Sequence, residues 1–186
     1  VDDDVAACRA RFGMNAGEPV LGALGRLHEQ KNVQLAIRAM IHAPRAHLYL
    51  AGSGEQEEML KTLAVDSGVA DRVHFLGPIF DRADVTRFFR AVDALLMPSL
   101  YEGHPFVMLE AMSVGTAVLA HDVEVMREAG GDAAIYASSD PVDWARQIAT
   151  MDDAVLTDLR RRSRERSAIF AAESMVERYL EVIGLP

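Results

Sequence analysis

The 186-residue chain has little cysteine and too little positive charge to balance its acids. Cys8 is the only cysteine, which excludes an internal disulfide and favours a reducing compartment. The formal net charge of −9 excludes a general basic surface for nucleic acid or for an anionic membrane. No apolar run reaches transmembrane length, and we expect no signal peptide. These scarcities predict a cytoplasmic globular protein.

The chain does contain a regular succession of apolar segments. Half of the residues are hydrophobic and a quarter are charged, so we expect one globular domain over residues 1–186. Strands are predicted at 19–24, 47–50, 73–76, 92–97, 117–120 and 133–136, and helices at 3–12, 32–41, 55–67, 84–91, 105–114 and throughout the tail from residue 141. Apolar strands joined by helices predict an α/β fold, a Rossmann-like parallel sheet with helices on both faces.

Two glutamates, Glu102 and Glu110, are separated by seven residues around a predicted helix start. Pro105 suits the first helical turn, so Glu102 lies in the loop before the helix and Glu110 lies inside it. Because the neighbours of Glu110 along the helix are apolar, we expect its carboxylate to need a partner. Each carboxylate can accept two hydrogen bonds from a vicinal diol. A sugar nucleotide offers two diols, one on the ribose and one on the sugar.

Further polar groups follow the predicted strands, at the edge where such sheets bind ligands. After the first strand, Gly25 allows close backbone approach, Arg26 offers a planar fork for phosphate, and Lys31 adds a point charge. The N–H groups of Phe106 and Val107, at the predicted helix start, are expected to be free for an anion. The sequence therefore predicts a phosphate site near the Glu pair.

Several of these residues also have plainer interpretations. The acids could complement the helix dipole, and the cations could be ordinary surface residues. His104 could face a sugar or form the pocket wall. His121 and Asp122 could form a catalytic pair, although a plain loop is favoured. The acidic runs at 2–4 and 152–153 could suggest a metal site, but helix capping and solvation suffice.

Five segments follow one another in a characteristic order: Gly25-Arg26-Leu27 with Lys31, Ala51-Gly52-Ser53-Gly54, Val73-His74-Phe75-Leu76-Gly77, Pro98-Ser99-Leu100-Tyr101-Glu102-Gly103, and Leu109-Glu110-Ala111-Met112 with Gly115-Thr116. This order resembles that of one family, the retaining glycosyltransferases of family four, in the C-terminal half of their two-domain GT-B fold. The resemblance covers nearly the whole chain from about residue 19.

The resemblance implies a role for each matching position. Arg26 and Lys31 would hold the donor diphosphate, Glu110 the ribose hydroxyls, and Glu102 the hydroxyls of the donor sugar. The implied catalytic residues are Arg26, Lys31 and Glu102. The other implied donor-binding positions are Gly25, Gly52, Gly103, His104, Pro105, Phe106, Val107, and Phe75 and Leu76, whose backbone would contact the base.

The function implied is retaining transfer of a hexosyl group from a nucleoside-diphosphate sugar, with no metal and no other cofactor. The acceptor would be held by an N-terminal domain outside this chain. Any peripheral membrane association, at the inner face, would come through that half. The sequence departs from the usual pattern at His104-Pro105, where many members have an aromatic and then Gly, and at Asn32, where many have Gly. Two alternatives stay open, a sugar-nucleotide epimerase of similar shape and a stand-alone nucleotide-binding module.

Overall fold

The computed structural model describes residues 4–14 and 17–170 of the chain. Within these residues, six parallel strands form a single sheet in the order β3-β2-β1-β4-β5-β6. The elements are α1 (Val5–Arg11), β1 (Val20–Leu24), a 3₁₀ helix (Glu29–Lys31), α2 (Val33–Ala39), β2 (His47–Ala51), α3 (Glu57–Asp66), β3 (Val73–Gly77), α4 (Arg82–Ala91), β4 (Ala94–Met97), α5 (Phe106–Ser113), β5 (Ala117–His121), α6 (Glu124–Gly130), a second 3₁₀ helix (Gly131–Ala133), β6 (Ile135–Ala137), α7 (Pro141–Ala149) and α8 (Asp153–Ala168).

The sheet is buried on both faces because its side chains point alternately into two apolar cores. In β2, Leu48 and Leu50 point into the core shared with α2, α3 and α7, while Tyr49 points into the core shared with α1, α4, α5 and α6. The predicted Rossmann-like fold with helices on both faces is confirmed. No helix of the described residues is both long and apolar enough to cross a bilayer.

All six predicted strands exist, but the α6 helix was not predicted. Over residues 141–168 the tail is helical except at residues 150–152, where α7 ends and α8 begins. The acidic pair at 152–153 caps and begins this second helix, as expected, since the carboxylate of Asp152 accepts a hydrogen bond from the Val155 N–H at 2.8 Å. The prediction of helix beyond residue 170 falls outside the described residues.

The strand order reverses direction between β1 and β4, the two central strands. Chain segments leaving their carboxyl ends turn to opposite sides, which opens a crevice between the two loops that follow. One loop runs from residue 25 to 32 and the other from 98 to 105. These are the loops that carry most of the predicted site residues.

Candidate functional site

The two loops at the reversal of strand order are joined directly to each other. The Leu100 N–H donates to the Gln30 carbonyl at 2.9 Å, and Gln30 Nε2 donates to the Tyr101 carbonyl at 2.9 Å. Asn32 Nδ2 donates to the Pro98 carbonyl at 3.2 Å. These bonds hold the first loop against the second and set the position of the side chains between them.

Lys31 and Glu102 form an ion pair between these two loops. Lys31 Nζ donates to Glu102 Oε1 at 2.6 Å, and the side chains are 22% and 9% exposed. Of the predicted site residues, these two are brought into contact by the fold. The ammonium and the carboxylate partly neutralise each other, so a bound anion would have to share or displace Glu102.

Asn32 directly follows Lys31 and joins the 3₁₀ helix to α2. Its backbone is left-handed, at φ 48° and ψ 37°, between the 3₁₀ helix and α2. Glycine adopts this conformation freely, and asparagine is among the few other residues that tolerate it. The departure from Gly at this position is therefore compatible with the same backbone, and the Asn32 side chain adds the bond to Pro98.

Arg26 lies on the surface of the first loop with its guanidinium available. Its side chain is exposed and makes no hydrogen bond or ion pair with any other described residue. The loop approaches the next one closely, because a Cβ atom on Gly52 would overlap the carbonyl oxygen of Gly25. Both glycines have positive φ, at 146° for Gly25 and 150° for Gly52. They are therefore required by the backbone, whatever they do toward a ligand.

The helix α5 begins one residue later than predicted, with Pro105 as its N-cap. Two expectations about this helix are wrong. The Phe106 N–H is not free, since it donates to the His104 carbonyl at 2.9 Å. Glu110 is not buried among its apolar neighbours, because the helix is rotated so that this side chain is exposed. Its carboxylate therefore needs no partner for burial, and it faces open cavities.

His104 and Gly103 are exposed in the loop before α5, and Val107 is half-buried in the first turn. The His104 ring packs edge-on against Phe106 at 4.6 Å between centroids and against Phe170 at 6.4 Å. These contacts favour His104 as part of the wall of an apolar cavity between α5 and the end of α8.

Phe75 and Leu76, the positions implied for base contact, end the edge strand β3. The Phe75 side chain packs into one core, with Lys61 Nζ 5.8 Å from the ring centroid, and Leu76 packs against the other core. Neither lines the cavities that Glu110 faces. One of these cavities is lined instead by Phe80, in the loop after β3, and by Arg82 at the start of α4. Sequence reasoning missed both, although an aromatic two residues after Gly77-Pro78 was a usable signal.

The other polar candidates have structural roles. The His121 ring forms hydrogen bonds with the Ser99 carbonyl at 3.1 Å and with Ser139 Oγ at 2.9 Å. Asp122 forms a two-point ion pair with Arg127, and this pair holds the pKa of Asp122 below its usual value. Asp152 caps α8, and Asp4 caps α1 by accepting from the Ala7 N–H at 2.7 Å. In residues 4–14 and 17–170 no three His, Cys, Asp or Glu side chains group as metal ligands.

Hydrogen bonds cross the whole carboxyl edge of the sheet. Consecutive bonds link the last residues of the strands and the loops that follow them, from Gly52 N–H to Gly77 O, Gly25 N–H to Ala51 O, Leu27 N–H to Ser53 O, Leu100 N–H to Gln30 O, the His121 ring to Ser99 O, and Asp122 N–H to Ala137 O. We call this set of bonds the loop belt. It gives the candidate site a floor made mostly of hydrogen-bonded backbone.

The fold and this edge define a Rossmann-like domain whose side chains surround a crevice at the reversal of strand order. The model of the family Glycosyl transferases group 1 matches residues 18–153. The lipopolysaccharide core biosynthesis glycosyltransferase LpsE of Rhizobium meliloti (strain 1021) is 32% identical over 187 residues, covering 97% of this chain and 54% of LpsE. This chain therefore belongs to the group 1 glycosyltransferases.

Solved structures share the fold. HepE from Anabaena, in complex with UDP and glucose, superposes with a TM-score of 0.85 at 23% identity, covering 99% of this chain and 53% of that one. The C-terminal domain of the group 1 family protein LpcC from Francisella tularensis superposes with a TM-score of 0.77 at 19% identity, covering 93% of this chain and 94% of that one. The chain spans about half the length of LpsE and of HepE.

Proposed function

We propose that this chain is the donor-binding, C-terminal half of a retaining GT-B glycosyltransferase of family four, which transfers a hexosyl group from a nucleoside-diphosphate sugar. The observation that carries the proposal is the meeting of Lys31 and Glu102 across the reversal of strand order, 2.6 Å apart. One cation and one hydroxyl-binding acid are thereby placed together, with the open guanidinium of Arg26 on the same loop.

In the proposed complex, Arg26 and Lys31 hold the diphosphate. Arg26 provides a planar fork for the diphosphate oxygens, and Lys31 turns from Glu102 toward the diphosphate. The carboxylate of Glu102, released from that pair, accepts hydrogen bonds from hydroxyls of the donor sugar, and Glu110 accepts them from the ribose. As the bond to the sugar breaks, charge develops on the leaving diphosphate, where the two cations stabilise it.

We propose that the acceptor is bound by an N-terminal domain, in the part of the relatives' length that this chain does not span. Transfer requires the acceptor hydroxyl to be held against the anomeric carbon, and such positioning is worth up to roughly 7–11 kcal/mol of barrier. No metal and no further cofactor enter the proposal, because two cations take the place of a divalent ion at the diphosphate. Any membrane association would reside in the acceptor half.

Calorimetric titration of the chain with UDP, GDP and ADP, with and without chelator, tests the donor site. We expect at least one nucleoside diphosphate to bind, with affinity unchanged by chelator. Absence of binding, or a strict need for a divalent cation, contradicts the proposal. The retaining mechanism is tested on the full-length parent by determining the anomeric configuration of its product by NMR, which should match that of the donor.

A further inference from the structure

An aromatic ring and a guanidinium stand open beside Glu110. Phe80, in the loop between β3 and α4, is 90% exposed, the largest fraction among the large hydrophobic side chains of the described residues. Phe80, Arg82 and Glu110 line one cavity between α4 and α5, with a volume of about 270 Å³. Small-molecule sites typically start at roughly 300 Å³, so the cavity suits part of a ligand rather than a whole one.

The loop that carries Phe80 is held at both ends. At its start, Gly77 has φ 72° and its carbonyl accepts from the Gly52 N–H at 2.8 Å, as part of the loop belt. At its end, the Asp81 carboxylate accepts from the Asp84 N–H at 3.0 Å and caps α4. The exposed position of the ring is therefore maintained by the backbone on either side.

A single exposed aromatic is ordinary on a protein surface, so its surroundings decide what it means. The nearby arginines Arg11 and Arg87 both bind Asp84, at 2.8 and 3.0 Å. Arg82, in contrast, is exposed and makes no side-chain hydrogen bond or ion pair with any residue of the described ranges. An open planar ring and an open set of donors thus share one cavity.

We infer that Phe80 and Arg82 recognise the base of the donor nucleotide, and that they select a base bearing an exocyclic oxygen, uracil or guanine, over adenine. This inference rests on the proposed function, because Glu110 must hold the ribose to bring the base into this cavity. The face of Phe80 stacks on the base, as aromatic side chains do with any nucleobase. The guanidinium of Arg82 carries donors only, so it can pair with O4 of uracil or with O6 and N7 of guanine. On adenine the same position carries an amino group, also a donor, so that only a ring nitrogen is left to accept.

The test measures the dissociation constants of UDP, GDP, ADP and inorganic pyrophosphate for the chain and its variants. We expect Phe80→Ala to weaken UDP binding about five- to hundred-fold and to leave pyrophosphate binding unchanged, since pyrophosphate has no base. Arg82→Ala should narrow the preference for UDP or GDP over ADP. Val65→Ala, an equally simple truncation on the exposed side of α3, and Arg38→Ala on α2 serve as matched controls.

A fluorescent variant provides a second measurement. Trp144 is the only tryptophan and is fully buried, so it gives a constant background. In Phe80→Trp, the new indole should be quenched by UDP through stacking and should not respond to pyrophosphate.

The outcomes separate this inference from the proposed function. If the unaltered chain binds UDP and Phe80→Ala binds it equally well, the base is recognised elsewhere and the inference is overturned, while the donor site stands. If Phe80→Ala loses pyrophosphate together with UDP, the ring supports the site's structure and the inference is likewise overturned. If the unaltered chain binds neither UDP nor pyrophosphate, the proposed function fails, and this inference fails with it.

Discussion

Lys31 and Glu102 are 71 residues apart in the chain, and the ammonium of one donates to the carboxylate of the other at 2.6 Å. The contact joins the loops that follow the two central strands. Both side chains are largely buried, so the pair is shielded from solvent more than the exposed ion pairs of α3 and α8. In the proposed mechanism the pair separates when the donor binds, and each partner then contacts the donor. Variants of either partner should therefore change donor binding.

The variant Glu102→Gln frees Lys31 while keeping the shape of the side chain. We expect bare nucleoside diphosphate to bind with unchanged affinity, or up to about ten-fold more tightly, because the cation no longer has to be shared. Discrimination among donor sugars should fall. Calorimetry with UDP and with several UDP-sugars measures both. Loss of the bare nucleotide with sugar preference intact would mean that Glu102 and Glu110 have exchanged roles.

The variant Lys31→Ala should lower both stability and diphosphate affinity. Glu102, only 9% exposed, would keep its charge without a partner, at a cost of about 1–3 kcal/mol in the free energy of unfolding. Adding Glu102→Gln should recover most of that stability but not the affinity. Lys61→Ala, which breaks the more exposed pairs with Glu57 and Glu58, should change stability much less. Chemical denaturation and calorimetry together check this; recovery of both quantities in the double variant would remove Lys31 from the phosphate site.

The variant Glu110→Ala should weaken binding of nucleoside diphosphates by about 1.5–3 kcal/mol, because a charged acceptor of hydrogen bonds is lost. The loss should be smaller for the 2′-deoxy nucleotide, which lacks one of the hydroxyls that Glu110 would hold. Because Glu110 is exposed, its removal should leave the melting temperature unchanged. Asp66→Ala, at another exposed acid, is the control. Equal effects on ribo- and deoxyribonucleotide would place Glu110 away from the ribose.

Arg26→Ala should weaken diphosphate binding, with an effect that shrinks as salt is added, since the guanidinium is exposed. Titrations at low and high ionic strength measure this dependence, with Arg38→Ala as a control of equal charge change. A loss in affinity that is the same at both salt concentrations would indicate a lost shape or packing contact rather than a phosphate contact.

The stability of the domain should decline as pH falls below about 6.5. Burial lowers the pKa of His74 from its ordinary value of 6.5, and the neighbouring His47 lowers it further. The unfolded chain therefore binds the proton more readily than the folded one, so protonation favours unfolding as the pH falls. His74 Nε2 lies 3.0 Å from His47 Nδ1, and the His74 ring stacks on Tyr49. The other ring nitrogen of His47 contacts the Glu18 carboxylate. Thermal melts between pH 7.5 and 5.5 should show the decline, and His74→Gln should flatten it. An unchanged slope in that variant would assign the dependence to another group.

The fold was predictable from the sequence because its strands are apolar runs separated by loops with glycine. The helix α6 was not, because Val123 stands at its N-cap position, without a side-chain hydrogen bond, where a capping residue would have signalled its start. The start of α8 was predictable, because Asp152 is a typical N-cap residue and its carboxylate makes the capping bond.

The sequence suggested which residues could bind a ligand, but not how those residues contact one another. Lys31 and Glu102 were each assigned to a ligand, whereas their pairing depends on how two distant loops meet. The exposure of Glu110 depends on the rotation of α5, which sequence cannot supply when nearly every side chain of the helix is apolar. Phe80 and Arg82 were missed because an exposed aromatic has no periodic pattern to mark it.

The loop belt separates the frame of the site from its chemistry. Its bonds are mostly made by backbone atoms, so exchanging the side chains that project from the loops leaves them in place. Substitutions in a lineage, or in a designed library, can therefore alter the side chains of the proposed donor site without disturbing the backbone that positions them. The same bonds restrict insertions, since an added residue in one loop would shift the amides of its neighbour. We expect such a lineage to change this edge by substitution and to place its changes of length elsewhere.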